Sequence, residues 1–167
     1  MTHLEPRRLT GLAVIPVALI VHNLEEAFAI GAALPRLEAT WSRLLGRPLV
    51  LPSAQQYGIA LAVVTGIAFA VLLLARLWDP ASYALVVIQA VMTLNVVTHV
   101  LGAVLLGGYA PGVVTAILVE APTSVLVFHR VRDARWMSRT QWRLLPFLAV
   151  LLHGPALVAL LAWVGRP

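Results

Sequence analysis

The chain has 167 residues, of which 60% are hydrophobic and only 11% charged, with a mean hydropathy of +0.91. A soluble domain carries nearer a quarter charged residues, so this composition excludes a water-soluble fold and points to the bilayer. Cysteine is absent, which removes disulfides and thiolate metal sites and restricts any metal to nitrogen and oxygen ligands. The net charge of +5 comes from twelve arginines and no lysine, clustered between apolar stretches, a pattern of membrane orientation rather than of nucleic-acid binding. No nucleic-acid partner is expected.

In chain order, five apolar stretches approach the ~20 residues needed to cross a bilayer. They cover 11–33, 57–78, 82–108, 110–129 and 144–164. The expected fold is therefore all-α, an integral membrane bundle of five transmembrane helices forming one domain over 1–167. For the first stretch, a cleavable signal peptide is the rival reading, because Arg7 and Arg8 precede an apolar run and Gly31, Ala32 and Ala33 follow it. Glu25 and Glu26 inside that run argue for a retained helix.

Between the first and second stretches, Leu37, Trp41, Leu44 and Leu45 recur at helical spacing, which predicts a short interfacial helix over 36–45. The second stretch has no ionisable residue in its interior and reads as a packing or oligomer helix. The third and fourth nearly touch, and the turn formers from Gly107 to Gly112 predict a tight hairpin. Trp78, Trp136, Trp142 and Trp163 fall near stretch ends, as rings preferring the headgroup zone do. Assigned to alternate sides, Arg7, Arg8, Arg76, Arg130, Arg132, Arg135, Arg139 and Arg143 oppose Arg36, Arg43, Arg47 and Arg166. That bias places the N-terminus inside and the C-terminus outside, in the cell membrane.

Ionisable groups within a bilayer cost at least about 2.5–3.5 kcal/mol each and so need a partner or a task. Six positions qualify: His22, Glu25 and Glu26 in the first stretch, His99 in the third, Glu120 in the fourth and His153 in the fifth. On an ideal helix Glu25 and Glu26 lie about 60° and about 40° to either side of His22, so all three share a face. Asn95 and His99 share another, about 40° apart. These stripes predict one polar cavity formed by the first, third and fourth stretches, with His153 a candidate to complete it. Thr115 lies about 140° from Glu120 on an ideal helix, which assigns it to capping or packing beside Tyr109 rather than to the cluster.

The pattern His22-Asn23-Leu24-Glu25-Glu26 resembles the signature of the HXXEE-motif membrane proteins. Two further motifs of that family match: NxxxH at Asn95 and His99, and YxPGxxT at Tyr109, Pro111, Gly112 and Thr115. The resemblance implies membrane location and marks these residues, but the family is one of unknown function and names no reaction.

Three readings of the chemistry follow. In the first, His22, Glu25, Glu26, His99 and Glu120 supply ligands, or a general base, to a divalent metal, zinc or iron, in a hydrolytic or oxidative enzyme acting on a lipophilic molecule. Asn95, Tyr109 and His153 would support them. In the second, Glu25, Glu26 or Glu120 with His22 runs metal-free acid–base isomerisation or cyclisation of an isoprenoid or sterol-like lipid, a chemistry whose architecture is loosely similar to sterol isomerases of the emopamil-binding type. In the third, the cluster binds or transports protons or metal ions; with no internal repeat, a pore would require a homo-oligomer. Bland roles remain for single residues: Tyr109 as an interfacial ring, His153 as a packed histidine beside the Gly154-Pro155 kink, Gln89 and Thr98 as interhelical hydrogen bonders.

Overall fold

The computed structural model describes residues 11–164. Arg7, Arg8 and Arg166, used above, lie outside them. Five helices in this range are long and apolar enough to cross a membrane: α1 (Val14–Leu45), α2 (Ala54–Leu74), α3 (Asp79–Leu106), α4 (Val113–Ala134) and α5 (Arg139–Val164). The expected all-α bundle is what the chain forms. Three helix starts fall earlier than expected, at Ala54, Asp79 and Arg139, and the first and last share a local cause. Ser53 and Gln56, and again Ser138 and Gln141, form reciprocal capping boxes that begin α2 and α5 before the apolar runs do.

One expectation needs correction. The segment 36–45 is not a separate interfacial helix but the continuation of α1, which runs unbroken through Pro35 to a left-handed Gly46 cap. At 1.5 Å per residue its 32 residues extend ~48 Å, well beyond a ~30 Å hydrocarbon core. Arg36 marks the level at which α1 passes the end of α3, since its guanidinium donates to the Leu106 carbonyl at 2.7 Å.

Helix α3 is the axis of the bundle and packs against all four others. Lipid removes most of the hydrophobic driving force between helices, so close approach and interhelical hydrogen bonds must hold them. Small side chains provide the approach: Ala18, Ala60, Ala68, Ala75, Ala81, Ala90, Ala116 and Ala149 are all buried. The apolar core gathers Leu12, Ile15 and Leu19 with Leu85, Val86 and Met92, Val127 and Val131, and Leu145. It fills the end of the bundle where α1 begins and α4 ends, and leaves the opposite half to the polar residues.

Two interhelical hydrogen-bond sets support this frame. Asn23 Nδ2 donates to the Leu61 carbonyl at 3.2 Å and to Thr65 Oγ1 at 2.8 Å, tying α1 to α2. Gln89 Nε2 and Thr93 Oγ1 both reach Ser124 Oγ at 2.9 Å, tying α3 to α4, so Gln89 has the interhelical role expected of it.

Two widened turns interrupt the regular helices. The residues Ala116–Glu120 in α4 and Leu152–Ala156 in α5 form π-turns with i→i+5 hydrogen bonding, the first closed by Ala121 N–H on the Ala116 carbonyl. Each is associated with a proline, Pro122 just after the first and Pro155 inside the second. Proline has no N–H and its ring crowds the carbonyl four residues back, so the helix before it must open. Replacing Asn23 by Ala is expected to cost about 0.6–1.7 kcal/mol, the range of interhelical hydrogen bonds in bilayers. A double-mutant cycle with Thr65→Val, read by reversible unfolding in mixed micelles, checks that the loss belongs to this pair.

Candidate functional site

The polar residues of α1, α3 and α4 converge beneath the α3–α4 turn. Asn95 and His99 precede the end of α3 by 11 and 7 residues, so they lie ~17 and ~11 Å from it along the axis. His22 is fully buried, and its ring meets that of His99 edge to face at 4.7 Å between centroids. Glu26, one turn further along α1, reaches both: its Oε2 is 3.7 Å from His22 Nε2 and 3.9 Å from His99 Nε2. One donor atom from each of His22, Glu26 and His99 lies within 4.8 Å of the other two. Ligands ~2.0–2.1 Å from a tetrahedral ion are separated by ~3.4 Å, so two of the three edges need close by only a few tenths of an ångström.

Gly112 makes this convergence sterically possible. Its φ of +80° is a conformation that favours glycine, and a Cβ built there would stand 2.7 Å from His22 Cε1 and 2.8 Å from His99 Cε1. Both imidazoles thus rest on the bare Cα of the turn. His99 turns its Nδ1 edge to the same backbone, where it hydrogen-bonds the Pro111 carbonyl, and leaves Nε2 toward Glu26. A backbone carbonyl on one ring nitrogen is the arrangement that orients histidine ligands in metal sites.

Glu25 leaves this point and turns to α4. Its carboxylate accepts from Thr115 N–H at 2.7 Å, Val114 N–H at 3.3 Å, the Tyr109 hydroxyl at 2.9 Å and the Thr115 hydroxyl at very short range. The first amides of a helix have no partners of their own and attract an anion. Burial first, and then the Glu25 carboxylate, pushes the Tyr109 phenol above the usual tyrosine range and keeps it a donor.

Glu120 lies on the other side of His22, fully buried, with Oε2 3.9 Å from His22 Nδ1 and 3.5 Å from Asn95 Nδ2. Its Oε1 has no hydrogen-bond partner among the described residues. Asn95 Nδ2 also sits 2.8 Å from His22 Nε2, so this amide links Glu120 to the imidazole. An ion taking Nε2 would require the amide to move or to turn its oxygen inward. His153, half-buried on α5, approaches by way of Thr98, whose hydroxyl is 3.3 Å from His153 Nε2. The structure therefore brings His22, Glu26 and His99 together, sets Asn95 at His22 Nε2 and Glu120 nearer Nδ1, and directs Glu25 and Tyr109 to the turn and His153 to the flank.

Thr115 is the residue that sequence reasoning displaced. Its Oγ1 lies 3.0 Å from His22 Nδ1, inside the cluster. The ideal-helix angle to Glu120 does not apply, because the intervening π-turn brings residues five apart toward one face. Pro122 in the sequence was the available signal.

A five-helix membrane bundle with buried histidines and glutamates is the class these observations define. The chain belongs to the family described as proteins of unknown function with HXXEE motif, whose model matches residues 13–127. No curated protein and no solved structure matches it. The matched range contains every cluster residue named above except His153.

Substituting Gly112 by Ala is expected to destabilise the protein by about 2–4 kcal/mol, combining left-handed strain with the overpacking of two rings. Thermal unfolding in detergent measures it, and Gly108→Ala, whose Cβ would meet nothing within 4 Å, serves as the control.

Proposed function

We propose that this protein is a membrane-embedded, metal-dependent enzyme, hydrolytic or oxidative, that acts on a lipophilic substrate at a centre formed by His22, Glu26 and His99. The observation that carries the reading is the convergence of two imidazole nitrogens and one carboxylate oxygen within 4.8 Å in a chain of which only 11% is charged. Mixed nitrogen and oxygen donors suit zinc or non-haem iron, and a three-residue set leaves coordination positions for water and substrate. An ion bound there would supply Lewis acidity or an activated water.

The chain's own residues divide the remaining work. Glu26 is the ligand with partial access, its side chain 17% exposed beside the 12% of His99. It can also take a proton from a molecule arriving at that opening. Glu120 supports His22 from the Nδ1 side, and Asn95 stands at Nε2 beside the centre. The helix surfaces nearby expose Val21, Leu24, Phe28, Val97 and Leu101, which favours a substrate delivered from the lipid phase.

Elemental analysis by inductively coupled plasma mass spectrometry of detergent-purified protein tests the reading. Near-stoichiometric zinc or iron is expected, and it should be lost in His22→Ala, Glu26→Ala and His99→Ala variants that remain folded. Protein that never met a chelator, carries no metal and takes none up would overturn it in favour of metal-free acid–base chemistry on isoprenoid or sterol-like lipids.

The reading also includes an orientation, N-terminus inside, supported by Arg76, Arg130, Arg132, Arg135, Arg139 and Arg143 on one side against Arg36, Arg43 and Arg47 on the other. Because the chain has no cysteine, single introduced thiols report cleanly. Arg47→Cys should react with a membrane-impermeant maleimide in intact cells and Ala134→Cys only after permeabilisation; the reverse pattern refutes the orientation.

A further inference from the structure

The hydrogen-bond directions around His22 can be worked out from its neighbours. Thr115 has one hydroxyl proton, and its closest acceptor is Glu25 Oε2, with the Gly112 carbonyl more distant at 3.3 Å. A carboxylate only accepts. Once that proton is given to Glu25, Thr115 Oγ1 can face His22 Nδ1, 3.0 Å away, only as an acceptor, so Nδ1 must carry hydrogen. On the opposite edge Asn95 Nδ2 donates, at 2.8 Å, to Nε2, which therefore bears the lone pair. Two independent neighbours demand the same tautomer.

We propose that Thr115 is a positioning residue: its hydroxyl, polarised by Glu25, holds His22 in the Nδ1–H tautomer and so leaves the lone pair on Nε2, the nitrogen that Asn95 contacts and that lies 3.7 Å from Glu26. The bonds among Tyr109, Glu25, Thr115 and His22 then converge on Glu25, which accepts from Tyr109 and Thr115 while His22 donates to Thr115. Glu25 acts at the centre without touching it, because its charge sets the direction of the threonine hydroxyl. The hydroxyl in turn sets which imidazole nitrogen is free. This also separates the two carboxylates of the HxxEE motif: Glu26 faces the centre, and Glu25 sets the state of the histidine.

The inference rests on the metal reading only for the use made of the freed nitrogen; the tautomer itself is measured without an ion. Nitrogen-15 spectroscopy of histidine-labelled, chelator-treated protein in nanodiscs distinguishes a protonated ring nitrogen from one bearing a lone pair, and the His22 signals are those absent from His22→Ala. The expected result is a protonated Nδ1 in the wild type and in Thr115→Ser, which keeps the hydroxyl. In Thr115→Val, which keeps the shape and loses it, Asn95 alone opposes the change and its amide can turn its oxygen to the ring, so part of the proton population should move to Nε2. Zinc affinity should fall about 10- to 100-fold in Thr115→Val and recover in Thr115→Ser, the size of effect that outer partners of histidine ligands produce.

A wild type with protonated Nε2, or a Thr115→Val variant with unchanged His22 signals, overturns the proposal whatever the protein binds. A tautomer that changes as stated in a protein that takes up no metal leaves the positioning role standing and removes the metal reading alone. If Thr115→Val does not fold, Thr115→Ser against Thr115→Ala decides, because the hydroxyl is then the one group that differs in hydrogen bonding.

Discussion

The carboxylate of Glu25 and the opening turn of α4 satisfy each other, and the rest of the polar architecture depends on that exchange. In hydrocarbon neither a charged side chain nor the first amides of a helix has water to fall back on. Of those amides, Val113 N–H bonds the Ala110 carbonyl, and Val114 and Thr115 N–H take Glu25. The contact fastens α1 to the α3–α4 turn at one depth. That depth places Gly112 against both imidazoles and Thr115 against His22, so the cluster is positioned by a helix terminus rather than by an apolar pocket.

The two halves of the bundle consequently obey different rules. Near the start of α1, alanines and branched side chains pack a core with few directional demands. Around the cluster polar side chains make directional contacts, and removing one partner there leaves a buried polar group unpaired. Ser124 stands at the boundary: it receives Gln89 and Thr93 and donates to the Glu120 carbonyl at 2.8 Å, joining the packed half to the site.

Composition and spacing made the five helices legible, together with the buried histidines and glutamates, since a bilayer makes both conspicuous. The difference between Glu25 and Glu26 was not legible. On a helical wheel they flank His22 almost symmetrically, and only the helix opposite each decides which reaches the imidazoles and which the α4 amides. The place of Thr115 was hidden by assuming a regular helix; a π-turn alters the phase, and only Pro122 hints at it. The continuity of α1 through Pro35 was missed because a proline followed by polar residues resembles a helix end, whereas here the ring is accommodated and the helix continues to Gly46.

The length of α1 has a mechanical corollary. His22, Glu25 and Glu26 ride on one rod that continues 19 residues beyond Glu26 to Leu45, about 29 Å of lever arm. Tilting the rod moves the three together, so their mutual spacing is preserved while the gap to His99, mounted on the central helix, opens or closes. Arg36, gripping the Leu106 carbonyl, braces that lever part-way along. Any change in the inclination of α1, whose far end at Trp41, Leu44 and Leu45 is exposed, would therefore be felt as a change in the separation of His22 and His99.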